Sequence, residues 1–197
     1  MPQTGHILAV DPAVDLAILQ AMVDELEPYL IDDELYRTVI MRSPTGNRKL
    51  TMTGASLLSV LFRLEGEREQ LAPEQQAQLD SIAAQAEATI VSLRTRFNDR
   101  LIREMKARLG GLNWYLDDCI ADRGRCRANY PFEIRNRQRI EEIVKEVGDD
   151  IPNELMTQLE TIDGIIRQNA QPGDFIWDEQ LEKTFPRDPY WYLYMRA

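Results

Sequence analysis

Most of the chain repeats its apolar positions with the period of a helix. Asp11 before Pro12 pairs a capping carboxylate with a residue suited to the first helical position. Val14, Ile18, Ala21 and Met22 then keep helical spacing, with Leu19, Val23 and Leu26 beside them, so the predicted helix has a broad apolar face. Pro28 should end it, because proline disfavours helix at the residue before it.

The pattern changes between Tyr36 and Thr53. Thr38, Val39, Ile40 and Met41 favour strand, Ser43-Pro44-Thr45-Gly46-Asn47 is a turn cluster, and Leu50 to Thr53 resume the strand pattern. This predicts a β-hairpin near 37–53. An isolated hairpin is marginal in water, so it must pack on helices or on a partner.

Thr53 can cap the next helix, with Leu57, Leu58, Leu61 and Leu64 on one face. Ala72-Pro73 opens a further segment. From Leu79 the apolar positions run through Ala83, Ala86, Ile90, Leu93, Phe97, Leu101 and Met105 to Leu109, every step three or four residues. A helix over Pro73–Leu109 would be roughly 55 Å long at 1.5 Å per residue. A compact chain of this length is on the order of 40 Å across. The protein is then elongated, or the helix is broken, or it lies along a second copy. Gly110-Gly111 should break or kink it, with Leu112 to Ile120 resuming. Residues 121–131 read as loop, with Gly124 and Pro131.

Ile134, Ile140, Ile143, Val144 and Val147 mark another helix, ended near Gly148. Pro152 restarts one through Leu155, Leu159, Ile162 and Ile166, closed by Gln171-Pro172-Gly173. The rest carries seven of the fifteen aromatics of the chain and two prolines, 186 and 189, that exclude a long helix. The expected fold is mainly α: an elongated helical bundle with one long amphipathic helix, a small β-hairpin and an extended aromatic tail. Residues 1–174 would form the helical domain, and 175–197 a tail packed on that domain or on a partner.

Charge adds an asymmetry. The net charge is −10, but residues 1–93 and 140–197 each carry −8 while residues 94–139 carry +6. Overall acidity argues against general affinity for nucleic acid. The basic block makes Arg96, Arg100, Arg103, Arg123, Arg125, Arg127, Arg135 and Arg139 candidate contacts for an anion or an acidic partner, and Tyr130 and Phe132 between them could stack bases. In the tail, Trp177, Tyr190, Trp191, Tyr192 and Tyr194 are candidate docking residues, since Tyr and Trp combine large area with a polar tip.

The chemistry is mostly exclusion. There is no basic leader and no apolar run near the roughly 18–20 residues of a spanning helix, so the reading is cytoplasmic. In that compartment Cys119 and Cys126 are expected to be reduced. Two cysteines and the single His6 cannot make a usual four-ligand zinc site. No nucleophile elbow or phosphate-binding glycine loop occurs. No cofactor is expected.

Two short acidic patterns remain. Asp117-Asp118-Cys119-Ile120-Ala121-Asp122 resembles the aspartate-rich motif of all-α isoprenoid synthases, which would imply Mg²⁺ held against a diphosphate. Those enzymes use a second such motif, and the chain has no convincing one. Glu160-Thr161-Ile162-Asp163 is similar to the second metal-binding helix of all-α nucleotide pyrophosphatases, with Glu142 and Glu146 as the partner pair, one residue wider than that family's first motif. That resemblance implies a Mg²⁺-dependent pyrophosphohydrolase. Neither extends beyond these residues. The leading expectation is a non-catalytic interaction or assembly subunit with a protein partner or a second copy. The pyrophosphohydrolase and a single-stranded nucleic-acid-binding protein are the alternatives, and no membrane partner is expected.

Overall fold

The computed structural model describes residues 11–32, 34–42 and 46–197, the last range without the side chains of 120 and 121. His6 and the turn residues Ser43, Pro44 and Thr45 lie outside the described residues. The fold is mainly α, with a two-stranded antiparallel hairpin, and the C-terminal aromatics cluster together. The chain divides into two compact units, 1–100 and 101–197.

In the first unit, α1 (Pro12–Asp24) begins as expected: Pro12 takes the first helical position and the Asp11 carboxylate accepts from the Ala13 N–H at 2.9 Å. Pro28 does not end this helix. The chain turns at Glu25, and Pro28 sits in the first turn of a short second helix, α2 (Leu26–Ile31), where its missing N–H has no intrahelical partner to lose. The hairpin forms from β1 (Arg37–Met41) and β2 (Arg48–Met52), with Val39 opposite Leu50. Alternation buries Val39 and Met41 and exposes Thr38 and Ile40, and β1 packs on α1.

Helix α3 (Gly54–Gly66) opens with a reciprocal cap. The Ser56 N–H donates to Thr53 Oγ1 at 3.1 Å and the Thr53 N–H to Ser56 Oγ at 2.8 Å. Its apolar face is rotated from the expectation. Leu57 and Leu64 are buried but Leu58 and Leu61 only half so, while Ser56, Ser59 and Arg63 are buried instead. The cause lies on α1, which packs against α3 and places the buried Asp15 carboxylate 2.6 Å from the Arg63 guanidinium.

The long helix is broken, but not at the glycines. Helix α4 (Pro73–Ser92) stops at Leu93 and α5 (Arg94–Ala121) starts one residue later. At the break, Thr89 Oγ1 donates back to the Gln85 carbonyl and Ser92 Oγ to that of Thr89. Hydroxyls bonded this way compete for helix carbonyls and bend the axis. Gly110 and Gly111 lie inside α5 with φ below zero. Each costs about 1 kcal/mol against alanine, and the burial of Leu109, Leu112 and Tyr115 on the opposite face outweighs this. Most of the apolar stripe is buried on both sides of the break, including Leu79, Ile90, Phe97, Leu101 and Leu109.

The second unit holds the rest of α5, then α6 (Arg123–Glu133), α7 (Arg135–Val147) and α8 (Asn153–Asn169). The segment expected as loop is helix α6. Asp122 caps it by accepting from the Arg125 N–H at 3.0 Å, and Pro131 falls in its last turn, where one lost N–H bond is tolerable. Cys119 and Cys126 are joined by a disulfide between α5 and α6 rather than carrying free thiols. Helix α7 ends at Gly148, whose φ of +61° is the left-handed geometry that favours glycine. Beyond α8, β3 (Gln171–Pro172) pairs antiparallel with β4 (Met195–Arg196), which holds the end of the tail on its own unit. Among the described residues, no helix is long and apolar enough to cross a membrane.

Candidate interaction surface

The arginines that form one block in the sequence have separate fates in the structure. Arg96 donates to the Leu30 and Ile31 carbonyls, at 3.4 and 3.0 Å. Arg100 donates to those of Tyr29 and Asp32, with its guanidinium 5.4 Å from the centre of the Tyr29 ring. These oxygens lie at and just beyond the C-terminal end of α2, where carbonyls lack intrahelical partners and the helix dipole favours a cation. Both arginines therefore hold the first unit together. Arg103 is exposed on α5.

In the second unit, the Arg137 guanidinium is buried. It donates to both carboxylate oxygens of Asp163, at 2.8 and 3.0 Å, and to Glu141 at 2.7 Å, and it lies 4.7 Å above the Tyr192 ring. Burial alone would lower its pKa, but the bonds to Asp163 and the surrounding negative groups carry it above the ordinary arginine value. Arg135 stacks 3.9 Å over the exposed Phe132 ring, and Arg139 is half-buried on α7.

Helix α6 differs from all of these. Tyr130 is its one buried residue, anchored by an O–H bond to the Tyr192 carbonyl at 2.9 Å. Arg123, Arg125 and Arg127 are exposed. Among the described residues, no Asp or Glu side chain pairs with any of the three side chains, and Arg127 Nε donates to the Ala197 main-chain oxygen at 2.9 Å.

The tail aromatics pack inward. Trp177 meets Phe185 edge-on at 5.3 Å, Phe185 meets Tyr190 at 5.0 Å, and Tyr190 meets Tyr192 at 6.3 Å, all near the perpendicular geometry that ring quadrupoles favour. Tyr190, Tyr192 and Tyr194 are buried, while Trp177 and Trp191 are half-exposed. The Trp177 indole N–H donates to the Pro131 carbonyl at 2.9 Å, and Arg167 lies 3.9 Å above Trp191. Of the five docking candidates, only the two tryptophans present ring surface to solvent.

The four carboxylates of the metal reading are not brought together. Glu142 is buried and accepts from Tyr190 Oη at 2.7 Å and Gln138 Nε2 at 3.1 Å, so burial raises its pKa despite those bonds. Asp163 is taken by Arg137. Glu146 is half-exposed and Glu160 exposed. Among the described residues, no group of three or more potential ligands could hold a metal ion. Asp117 and Asp118 are exposed on α5, and Asp122 caps α6.

Sequence reasoning missed the buried Asp15–Arg63 pair. Asp15 Oδ1 and Arg63 Nε are buried without a hydrogen-bond partner among the described residues, and burial raises the Asp15 pKa although Arg63 opposes it. The available signal was a charged residue on each of two otherwise apolar helix faces. No protein-family model matches the chain, and no curated protein or solved structure matches it.

Proposed function

We propose that this protein is a non-catalytic interaction module whose exposed α6 face docks on an acidic surface of a partner protein. One observation carries the reading: Arg123 and Arg125 stand in solvent without a carboxylate partner among the described residues, in a chain of net charge −10. Nearby carboxylates are abundant in the sequence, yet among the described residues none pairs with the side chain of Arg123 or Arg125. Complementary charge then favours encounter with an acidic partner.

Fluorescence anisotropy of labelled poly-glutamate at low salt tests this. Binding should be saturable, weaken as salt rises, and fall about a hundredfold or more in the Arg123→Glu, Arg125→Glu double variant, if each charge-assisted bond contributes about 1.5–3 kcal/mol. Absence of binding, or binding indifferent to the reversal, defeats the proposal.

The stacked Arg135–Phe132 pair at the end of the same helix supports a second reading, single-stranded nucleic acid, since such pairs suit base stacking. A labelled thymidine oligonucleotide that binds in preference to poly-glutamate, and loses affinity in the same variant, would replace the first reading with the second. A cytoplasmic location belongs to the proposal. There the Cys119–Cys126 bond opposes the usual reducing conditions. Thiol alkylation at the moment of lysis, read by mass spectrometry, checks both at once: a bond retained in full argues for an oxidising compartment.

A further inference from the structure

The second unit contains a cleft of about 770 Å³ that shares Arg123 with the proposed docking face and is otherwise separate from it. Its floor is apolar and buried: Leu116 from α5, Tyr130 from α6, Ile166 from α8 and Met195 from β4. The Cys119–Cys126 disulfide and the half-exposed Ile165 and Ile176 form its walls. Arg123, Arg127 and Arg196 stand on its rim with the amides of Gln168 and Asn169. Among the described residues, none in the lining is Asp or Glu, although the chain has ten more acidic residues than basic ones.

We propose that this cleft binds a small amphipathic carboxylate, with the apolar chain on the floor and the carboxylate between Arg123 and Arg127. The volume lies within the roughly 300–1,000 Å³ of small-molecule sites, which combine apolar walls with a few placed polar groups. Burying a hydrocarbon chain supplies affinity without direction. Direction comes from the rim. The bond from Arg127 Nε to the Ala197 oxygen holds that guanidinium in place, and among the described residues its terminal nitrogens have no partner. Those nitrogens match a carboxylate fork. Arg123 adds a second cation, without an Asp or Glu partner among the described residues. Arg196 is paired with Asp174 at 2.5 Å and is assigned no part in binding. A neutral amphiphile would gain nothing from this rim, and a cationic one would be repelled. The disulfide ties α6, which carries Arg123, Arg127 and Tyr130, to α5, which contributes Leu116 to the floor, so cleft shape and anion site are coupled.

Isothermal titration calorimetry with dodecanoate, dodecanol and dodecylammonium, each below its aggregation limit, tests the proposal. Dodecanoate should bind saturably at a single site, dodecanol about tenfold or more weakly, since a charged hydrogen bond is lost, and dodecylammonium not at all. The Arg123→Ala, Arg127→Ala double variant should reduce dodecanoate affinity by about the same factor and leave dodecanol unchanged, with circular dichroism showing the fold retained. Ile165→Glu, at a half-exposed wall position, should abolish dodecanoate binding by placing a like charge in the cleft. Equal binding of the three probes, or dodecanoate affinity unchanged in the arginine variant, overturns the proposal. Arg125 does not line the cleft. Arg125→Glu should therefore weaken poly-glutamate binding and leave dodecanoate untouched, which separates failure of this site from failure of the docking face.

Discussion

Arg100 near the start of α5 and Arg125 on α6 belong to one basic block, yet they do opposite things. Arg100 is buried and donates to backbone carbonyls at the end of α2, within the first unit. Arg125 is exposed, and among the described residues its side chain has no carboxylate partner. Arg137, ten residues after Arg127, is buried again, this time on carboxylates and a ring. The difference shows that a run of like charges is no surface in itself. Each guanidinium goes to the nearest group that satisfies it, and only those the fold leaves over are available to a partner.

The largest effect in this contrast is expected at Arg137. Arg137→Met should lower unfolding free energy by about 3–5 kcal/mol, because Asp163 is left buried and unpaired. The Arg137→Met, Asp163→Leu double variant should recover much of that loss, and urea denaturation of the wild type and both variants measures it. A single variant as stable as the wild type would remove Arg137 from the structural class. Arg100→Met keeps the aliphatic stem but removes the donors to the α2 carbonyls, for an expected loss of about 1–3 kcal/mol in the same assay.

Glu142→Gln sharpens the contrast through pH. Burial raises the Glu142 carboxyl above its ordinary value of 4.5. The folded state therefore holds this proton more tightly than the unfolded chain does. The stability contributed is complete below that ordinary value and is lost as pH rises through the raised one. Gln can still accept from Tyr190 and carries no charge to desolvate. The melting temperature of the variant should gain on the wild type as pH rises from about 4 to neutrality, since the unperturbed carboxyl titrates near pH 4. A gap that stays constant across that range would show that this carboxyl does not titrate as described. The smallest stability effect belongs to Arg123→Ala with Arg125→Ala, within about 0.5 kcal/mol, while poly-glutamate binding should drop. A stability loss comparable to that at Arg100 would place α6 among the structural elements.

Local signals were well conserved between sequence and fold. The Asp11-Pro12 start, the Thr53 cap, the hairpin and the Gly148 stop each depend on a few adjacent residues and appear as read. The failures have two causes. Gly110-Gly111 looked like a break and is helix, and Leu93 looked like part of a helix and is the break. Gly124 and Pro131 suggested a loop where α6 forms. At the glycines and at Pro131, intrinsic preferences of about 1 kcal/mol, or a few for proline, met the burial of flanking Leu109, Leu112 and Tyr130, and the packing prevailed, whereas at Leu93 the hydroxyls of Thr89 and Ser92 compete for helix carbonyls. The candidate site was legible only as a basic stretch. Nothing in the spacing of the arginines separates Arg123 from Arg137, because the Arg137 partners Asp163 and Tyr192 lie far along the chain.

By itself the sequence determined the helical class, the hairpin, the helix starts and the uneven charge, since all of these follow from short-range periodicity, capping and composition. The tertiary structure alone decided which arginines remain in solvent, that the tail aromatics turn inward, that Glu142 and Asp163 bond to Tyr190 and Arg137, and that Cys119 meets Cys126 beside a cleft. Those outcomes depend on which groups compete for the same partner in three dimensions, and that competition is set by burial and distance between segments that linear order does not bring together.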